Sequence, residues 1–224
     1  MKKMVLARTL LGLAVLMLIG VTALAEDNSK STITINGGRN TVYMKAPARV
    51  QPQKPCTPAK FYDNICNGSI NVGDGWTISD GSPINTEYTP SNAIVALATG
   101  TTTKIHVDVG FVEGGNGAIV DMDASCGPAA SAHPCGHPDG EKHLCQGFIR
   151  NLYTFGDTIV TESFKCAAKL TKGKTYWVYV QSEANSWLAW NLSETATGGI
   201  VEGTNDVWGT PTESGQAVGG LAIY

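Results

Sequence analysis

The most informative absences in this sequence are those of recognisable catalytic machinery. No G-x-S-x-G elbow, no H-E-x-x-H, no glycine-rich phosphate loop and no setting for a catalytic cysteine occurs anywhere in the chain. Charge is scarce as well, at 16% of residues, and no segment carries the basic stripe that nucleic-acid binding requires. Long 3.6-period segments are missing, which excludes a helical bundle. After residue 25 there is no apolar run that could cross a membrane as a helix. Together these absences direct the reading away from enzymes, nucleic-acid binders and membrane-embedded proteins.

The first twenty-five residues form a recognisable export signal. Lys2, Lys3 and Arg8 make a positive start, an apolar run follows from Thr9 to Val21, and Ala23-Leu24-Ala25 places small residues before the polar Glu26-Asp27-Asn28. The run is shorter than the roughly 18 to 20 residues of a spanning helix and lacks a positive stop-transfer flank. Cleavage between Ala25 and Glu26 is the expectation, leaving 199 of the 224 residues. The signal holds three of the 16 basic residues and none of the 19 acidic ones, so the mature part has 13 against 19, a net charge of about −6. A secreted or periplasmic protein, with no membrane association after cleavage, is expected.

What is present is glycine, at 26 residues, with abundant threonine, serine and asparagine, a composition of turn-rich β proteins. Six cysteines, Cys56, Cys66, Cys126, Cys135, Cys145 and Cys166, all lie in the mature part. An even number in an exported chain predicts three disulfides. Of the 15 possible connectivities, spacing favours Cys56 with Cys66 and two pairs among the other four, whose partners it leaves open.

Short strands with turn residues between them recur along the chain. Ser31–Ile35 and Val42–Met44 read as two strands joined by a turn, and Pro47, Pro52, Pro55 and Pro58 make 46–58 an extended connection. Trp76–Ser79 follows a Gly73-Asp74-Gly75 turn, and Ala93–Leu97 ends before Gly100. Between Lys104 and Phe111, Ile105, Val107, Val109 and Phe111 face one way while Lys104, His106 and Asp108 face the other, giving one core face and one wet face. Glu113–Gly117 then turns the chain into Ala118–Met122, so 104–122 reads as a hairpin. Residues 125–147 form a long cross-linked loop rich in Cys and His. Strands resume at Phe148–Leu152, Thr158–Phe164, Thr175–Gln181, Trp187–Leu192 and Leu221–Tyr224. The predicted fold is all-β: an antiparallel, jelly-roll-like β-sandwich with a disulfide-rich insertion. Its divisions are a signal peptide at 1–25, N-terminal strands and a Pro-rich connection at 26–60, and the sandwich at 61–224, with the insertion at 125–147.

The C-terminal half carries Leu170-Thr171-Lys172-Gly173-Lys174-Thr175-Tyr176-Trp177-Val178, then Trp187-Leu188-Ala189-Trp190-Asn191, Gly198-Gly199 and Gly219-Gly220-Leu221-Ala222-Ile223. It resembles the secreted bacterial β-sandwich modules grouped as choice-of-anchor or PEP-CTERM-type domains, in which an LxxGxxYW turn and strand precedes a WxxWN strand. The resemblance reaches back to about Trp76 and implies a β-sandwich in an extracellular setting, with no activity. Two departures stand out. Such proteins commonly end in a sorting tail, whereas this sequence stops at Tyr224, from which a freely secreted or periplasmic product is expected. The Cys- and His-rich insertion also has no counterpart in that family.

Candidate sites follow from residue type. Trp177, Tyr179, Trp187 and Trp190 could stack against sugar rings if exposed. Alternation puts Trp177 and Tyr179 opposite Tyr176, Val178 and Val180, so one set is either exposed or covered by another layer. Asp108, Glu113, Asp121 and Asp123 offer hard oxygens of the kind calcium takes, against the alternative of a solvated strand face. Cys126, His133, Cys135, His137, His143 and Cys145 offer softer ligands, but their spacing lacks the paired C-x₂₋₄-C of structural zinc sites and an oxidising space favours disulfides. No metal site is therefore assigned, and calcium is the one cofactor kept open. The expected function is a non-enzymatic structural, adhesive or surface-interaction role toward a glycan or a cell-surface or matrix component. The alternatives are a carbohydrate-binding module using those aromatic residues and a secreted hydrolase.

Overall fold

Strand-forming sequence dominates wherever the chain is described, and the computed structural model has no helix there. It describes residues 32–35, 42–45, 57–66, 70–82, 84–126, 133–135, 143–156, 162–198, 200–204, 207–208 and 216–224. The expected export signal, Cys56 and His137 lie outside them. The first strands are β1 (Thr32–Ile35), β2 (Val42–Lys45), β3 (Tyr62–Asp63), β4 (Ile70–Asp80), β5 (Glu87–Val95) and β6 (Gly100–Thr101). Next come β7 (Lys104–Val107), β8 (Val109–Gly114), β9 (Ala118–Cys126), β10 (His133–Pro134), β11 (Cys145–Ile149), β12 (Glu162–Lys165) and β13 (Lys169–Leu170). The last are β14 (Thr175–Ser182), β15 (Ser186–Gly198), β16 (Ile200–Thr204), β17 (Val207–Trp208), β18 (Gln216–Gly219) and β19 (Leu221–Ile223).

These strands build the predicted all-β sandwich. One layer runs β1-β2-β4-β15, with β8 and β18 also on β15, and the other runs β16-β5-β14-β9-β11. The layers join where β4 turns into β5, at Ser79↔Tyr88. Trp76, Ile78, Leu188 and Trp190 from the first layer meet Ile94, Val120, Met122, Val178 and Val180 from the second, all buried in one core. Each such side chain contributes about 1.5 to 3 kcal/mol by leaving water. A four-stranded sheet, β12-β7-β19-β3, adds Ile105, Val107, Phe164, Leu221 and Ile223 to the same core. The N-terminal strands are part of this unit, since β2 pairs with β4 at Tyr43↔Trp76.

Both faces of the strongest strand are covered. In β14, Tyr176, Val178 and Val180 enter the core while Trp177 and Tyr179, on the opposite face, are also buried. The layer formed by β15 and β8 is covered likewise: residues 153–155 pair alongside β8, where Phe111 N–H donates to Tyr153 O (2.7 Å) and Phe155 N–H to Phe111 O (2.7 Å). Phe155 thereby packs on Trp187 and Ala189. Gly110 allows this approach, because a Cβ there would lie 2.8 Å from the Phe155 backbone.

Three local expectations are corrected. Gly73-Asp74-Gly75 is no turn: β4 runs through it, and the irregularity is a register shift opposite Asn191 and Leu192 of β15. Lys104–Phe111 is two strands, because at Asp108 the chain passes from the small sheet to the large one. The Asp108 N–H donates to Gly220 O (3.0 Å), and its carbonyl accepts from Asn191 N–H (2.9 Å). Asp108 is thus buried at 1% exposure and not on a wet face. Nor is 104–122 a hairpin, since β8 pairs with β15 while β9 pairs with β14 and β11. The Glu113–Gly117 connection passes between layers.

Candidate functional site

The outer face of β9 and β14 brings several ionisable side chains together. Alternation along β9 turns Val120 and Met122 into the core and leaves Asp121 and Asp123 on the other face. The register sets Tyr179 of β14 and Gln146 of β11 beside Asp121, and Trp177 beside Asp123. His143 arrives immediately before β11, where Leu144 N–H donates to Met122 O (2.8 Å). Two disulfides flank this position. Cys145–Cys166 anchors β11 two residues beyond His143, and Cys126–Cys135 closes the far end of β9, where Cys135 N–H donates to Ala124 O (2.9 Å). Cys66 is disulfide-bonded too.

Asp121 and Asp123 are both 0% exposed. The imidazole Nδ1 of His143 lies 3.3 Å from Asp123 Oδ1, 3.5 Å from Asp121 Oδ1 and 2.8 Å from the Tyr179 hydroxyl. That hydroxyl also donates to Asp123 Oδ2 (3.4 Å). Among the described residues neither Asp121 oxygen has a well-aligned hydrogen bond, although the Gln146 side chain is near enough to bear on it, and His143 Nε2 is buried without a partner. Burial pushes the Asp121 carboxyl up to about 7, against the opposing pull of His143 and Gln146 nearby, while Asp123 adds to the rise. One nitrogen thus serves two buried carboxylates and a phenol.

A second buried polar group lies at the crossover. Asp108 Oδ1 accepts from Asn191 Nδ2 (3.0 Å), and Gly219 O accepts from both Asn64 Nδ2 (3.0 Å) and Asn92 Nδ2 (3.1 Å). Trp190 Nε1 donates to Gly220 O (2.9 Å). Burial pushes Asp108 up to about 7, with the Asn191 bond opposing. Amide side chains here bond the backbone of crossing strands, which is structural work.

The residues singled out in the sequence are distributed between these places. Trp177, Tyr179, Trp187 and Trp190 are all buried, at 2%, 0%, 8% and 0% exposure. They point to three different environments, so the four form no exposed stacking platform: Trp190 lies in the core, Trp187 under Phe155, and Trp177 donates to Ser125 Oγ (3.2 Å). Of the acidic set, only Asp121 and Asp123 come together. Glu113 is exposed on β8 and Asp108 belongs to the crossover. His133 turns Nδ1 to Pro134 O (2.6 Å), and the three cysteines of the metal alternative are in disulfides, Cys126 with Cys135 and Cys145 with Cys166. Among the described residues, no three His, Cys, Asp or Glu side chains are arranged to hold a metal ion. The sequence reading did not foresee Tyr179 as a hydrogen-bonding partner of His143, nor Gln146 beside Asp121. The alternation Val120-Asp121-Met122-Asp123 was the available signal.

Chemically, a carboxylate-facing imidazole with an unpartnered Nε2 can store a proton or present a base. No family model, curated protein or solved structure matches the chain.

Proposed function

We propose that this chain is an exported, non-enzymatic β-sandwich with a structural, adhesive or surface-contact role outside the cytoplasm. One observation carries the reading. Asp121, Asp123 and Tyr179 are shut inside, whereas β11, which among the described residues pairs only with β9, and the residue before it turn apolar Phe148 and Leu144 outward at 53% and 39% exposure. Arg150 lies over the Phe148 ring at 5.9 Å, giving the patch a cationic rim. Oxidised cysteines and the export signal ending at Ala25 agree with an oxidising space. So does the resemblance of the Leu170–Val178 and Trp187–Asn191 segments to choice-of-anchor modules. The partner is a cell-surface or matrix component.

Binding of the purified mature protein to a panel of polysaccharides and matrix proteins tests this. Retention on one of them, lost in Phe148→Ser at unchanged melting temperature, is expected; no retention on any of them counts against the reading. The hydrolase alternative draws on a specific observation, the unpartnered Nε2 of His143 held by carboxylates. Turnover of ester, amide or glycoside substrates that disappears in His143→Gln would replace the proposal.

A further inference from the structure

Lysine is distributed unevenly over the fold. Lys45 apart, every lysine among the described residues lies around one ladder, in which residues 100–107 run beside 162–170. Its two short pairs, β7 with β12 and β6 with β13, are joined by Cys166 N–H to Thr103 O (3.1 Å) and Thr102 N–H to Ala168 O (2.9 Å). Alternation from Ser163 to Thr171 is unbroken: Phe164, Cys166, Ala168 and Leu170 are buried, while Ser163, Lys165, Ala167, Lys169 and Thr171 are exposed. Lys104 lies directly opposite Lys165, and Lys169 opposite Thr101. The turn after β13 adds Lys172 and Lys174, tied to the same end by Lys172 N–H to Thr99 Oγ1 (3.0 Å) and Gly173 N–H to Ala96 O (2.8 Å). Lys60 completes the group, its ammonium 5.0 Å from the Phe61 ring centroid and 3.5 Å from where a Cβ on Gly100 would stand.

No ion pair among the described residues includes any of these six lysines. Asp63, on the same small sheet, spends both oxygens on the N–H groups of Ala59 (2.6 Å), Ile65 (2.9 Å) and Cys66 (2.7 Å). The main-chain oxygen of Tyr224 accepts from Thr103 N–H (2.6 Å). Like charges set directly opposite each other destabilise a ladder, and Lys104 with Lys165 is such a pair, relieved on one side by the Tyr224 ring 4.6 Å from the Lys104 ammonium. The local field acts on His106, which faces Ser163: its imidazole is pushed below the ordinary range by burial first and by Lys104 second, with Asp63 opposing. Apart from these six lysines, residues 26–224 hold seven basic residues against 19 acidic ones, so positive charge is gathered on one face of an acidic chain.

We propose that this face, centred on Lys165 and Lys169, binds a linear anionic polysaccharide that carries carboxylate or sulfate groups along its length. Such binding gives the surface-contact role a ligand class, rests on that reading for its setting, and uses residues other than Leu144 and Phe148. Lys104 and Lys165 stand at one end of the ladder, and Lys60, Lys169 and the 172–174 turn at the other. Four residues of strand separate Lys165 from Lys169, roughly 13 Å, so one small anion cannot meet both and a repeated charge can. Between them the outward side chains are short, Ala167 beside Thr101 and Thr103, which leaves a low bed for an extended chain. Anions laid there cancel the repulsion between Lys104 and Lys165, so attraction is stored in the free protein. A single-stranded nucleic acid fits less well, because it takes exposed rings for its bases to stack on. Here Phe61 is buried at 1% exposure and Tyr224 lies under Lys104. The face also has no arginine, the side chain whose fork matches phosphate.

Biolayer interferometry on the oxidised mature protein reads this, with alginate as the carboxylate probe, dextran sulfate as the sulfate probe and unmodified dextran as the neutral one. Binding to an anionic polymer and none to dextran is expected. It should weaken at least about tenfold in Lys165→Glu/Lys169→Glu, and as steeply when salt is raised from about 50 to about 200 mM. Lys165→Gln alone should weaken binding while its melting temperature stays level or rises, because an opposed charge is gone. Lys169→Glu should bind less well than Lys45→Glu, which makes the same change of charge on β2, and Phe148→Ser should bind as the wild type does. No binding to either anionic polymer, equal binding to dextran, or an equal loss in Lys45→Glu or Phe148→Ser overturns the proposal. So does tighter binding to single-stranded DNA or to anionic phospholipid vesicles. Retention on a matrix protein through Phe148, without binding to either anionic polymer, ends this proposal and leaves the surface-contact reading standing.

Discussion

Asp108 and Asp121 are two buried acids with the same upward push from burial and different neighbours. Asp108 meets an amide, Asn191, and sits where the backbone changes sheets, so its oxygens help hold crossing strands. Asp121 faces an imidazole, His143, which also lies against a second acid, Asp123, and the Tyr179 phenol. Burial alone does not distinguish a structural acid from a responsive one; the partner does. An amide answers with a fixed dipole, and an imidazole answers with a charge that depends on pH.

The comparison can be broken most severely at the crossover. Asn191→Ala should remove the amide facing Asp108 and leave the carboxylate alone in the interior, costing about 3 to 5 kcal/mol, read as a lowered denaturation midpoint in urea. A loss under 1 kcal/mol would mean that Asp108 does not depend on Asn191. At the other acid, opening Cys145–Cys166 by a double serine substitution should cost about 3 kcal/mol, since it closes 21 residues of chain. It should also raise hydrogen exchange at Leu144 more than at Leu188; an equal rise at both would detach the disulfide from the seating of His143. The smallest effect is in slope. Asp108 is ordinarily a carboxylate near 3.8 and lies near 7 when folded, so stability should fall as pH rises between those values, by on the order of 1.4 kcal/mol per pH unit at most. Asp108→Asn should flatten that slope. A slope that persists in Asp108→Asn would mean that another group sets it.

Much of the fold was legible. The alternating run from Lys104 to Phe111, the β-branched and aromatic residues of Thr175–Gln181 and the glycine punctuation all mark strands, because these signals are local. What failed was the assignment of strands to sheets. Ile105, Val107 and Val109 keep one alternation while the chain changes partner at Asp108, and a period of two says nothing about which neighbour supplies the hydrogen bonds. The site was half legible in the same way. Asp121 and Asp123 share a face by alternation, but their meeting with His143 depends on β11 lying beside β9 and on which cysteines pair, and both are contacts between residues distant in sequence. The tryptophans misled for a further reason: alternation separated Trp177 from Val178 correctly, yet could not show that both faces of that strand are covered.

The order β12-β7-β19-β3 places residues 221–223 between strands that precede them by more than a hundred positions. Leu221 and Ile223 fill the interior from that slot, and Asn64 and Phe61 take their backbone partners from it. Until residues 221–223 are in place, β3 and β7 have no common neighbour, so the small sheet closes late in folding and the apolar faces of Ile105 and Val107 wait on a contact more than a hundred positions away in sequence.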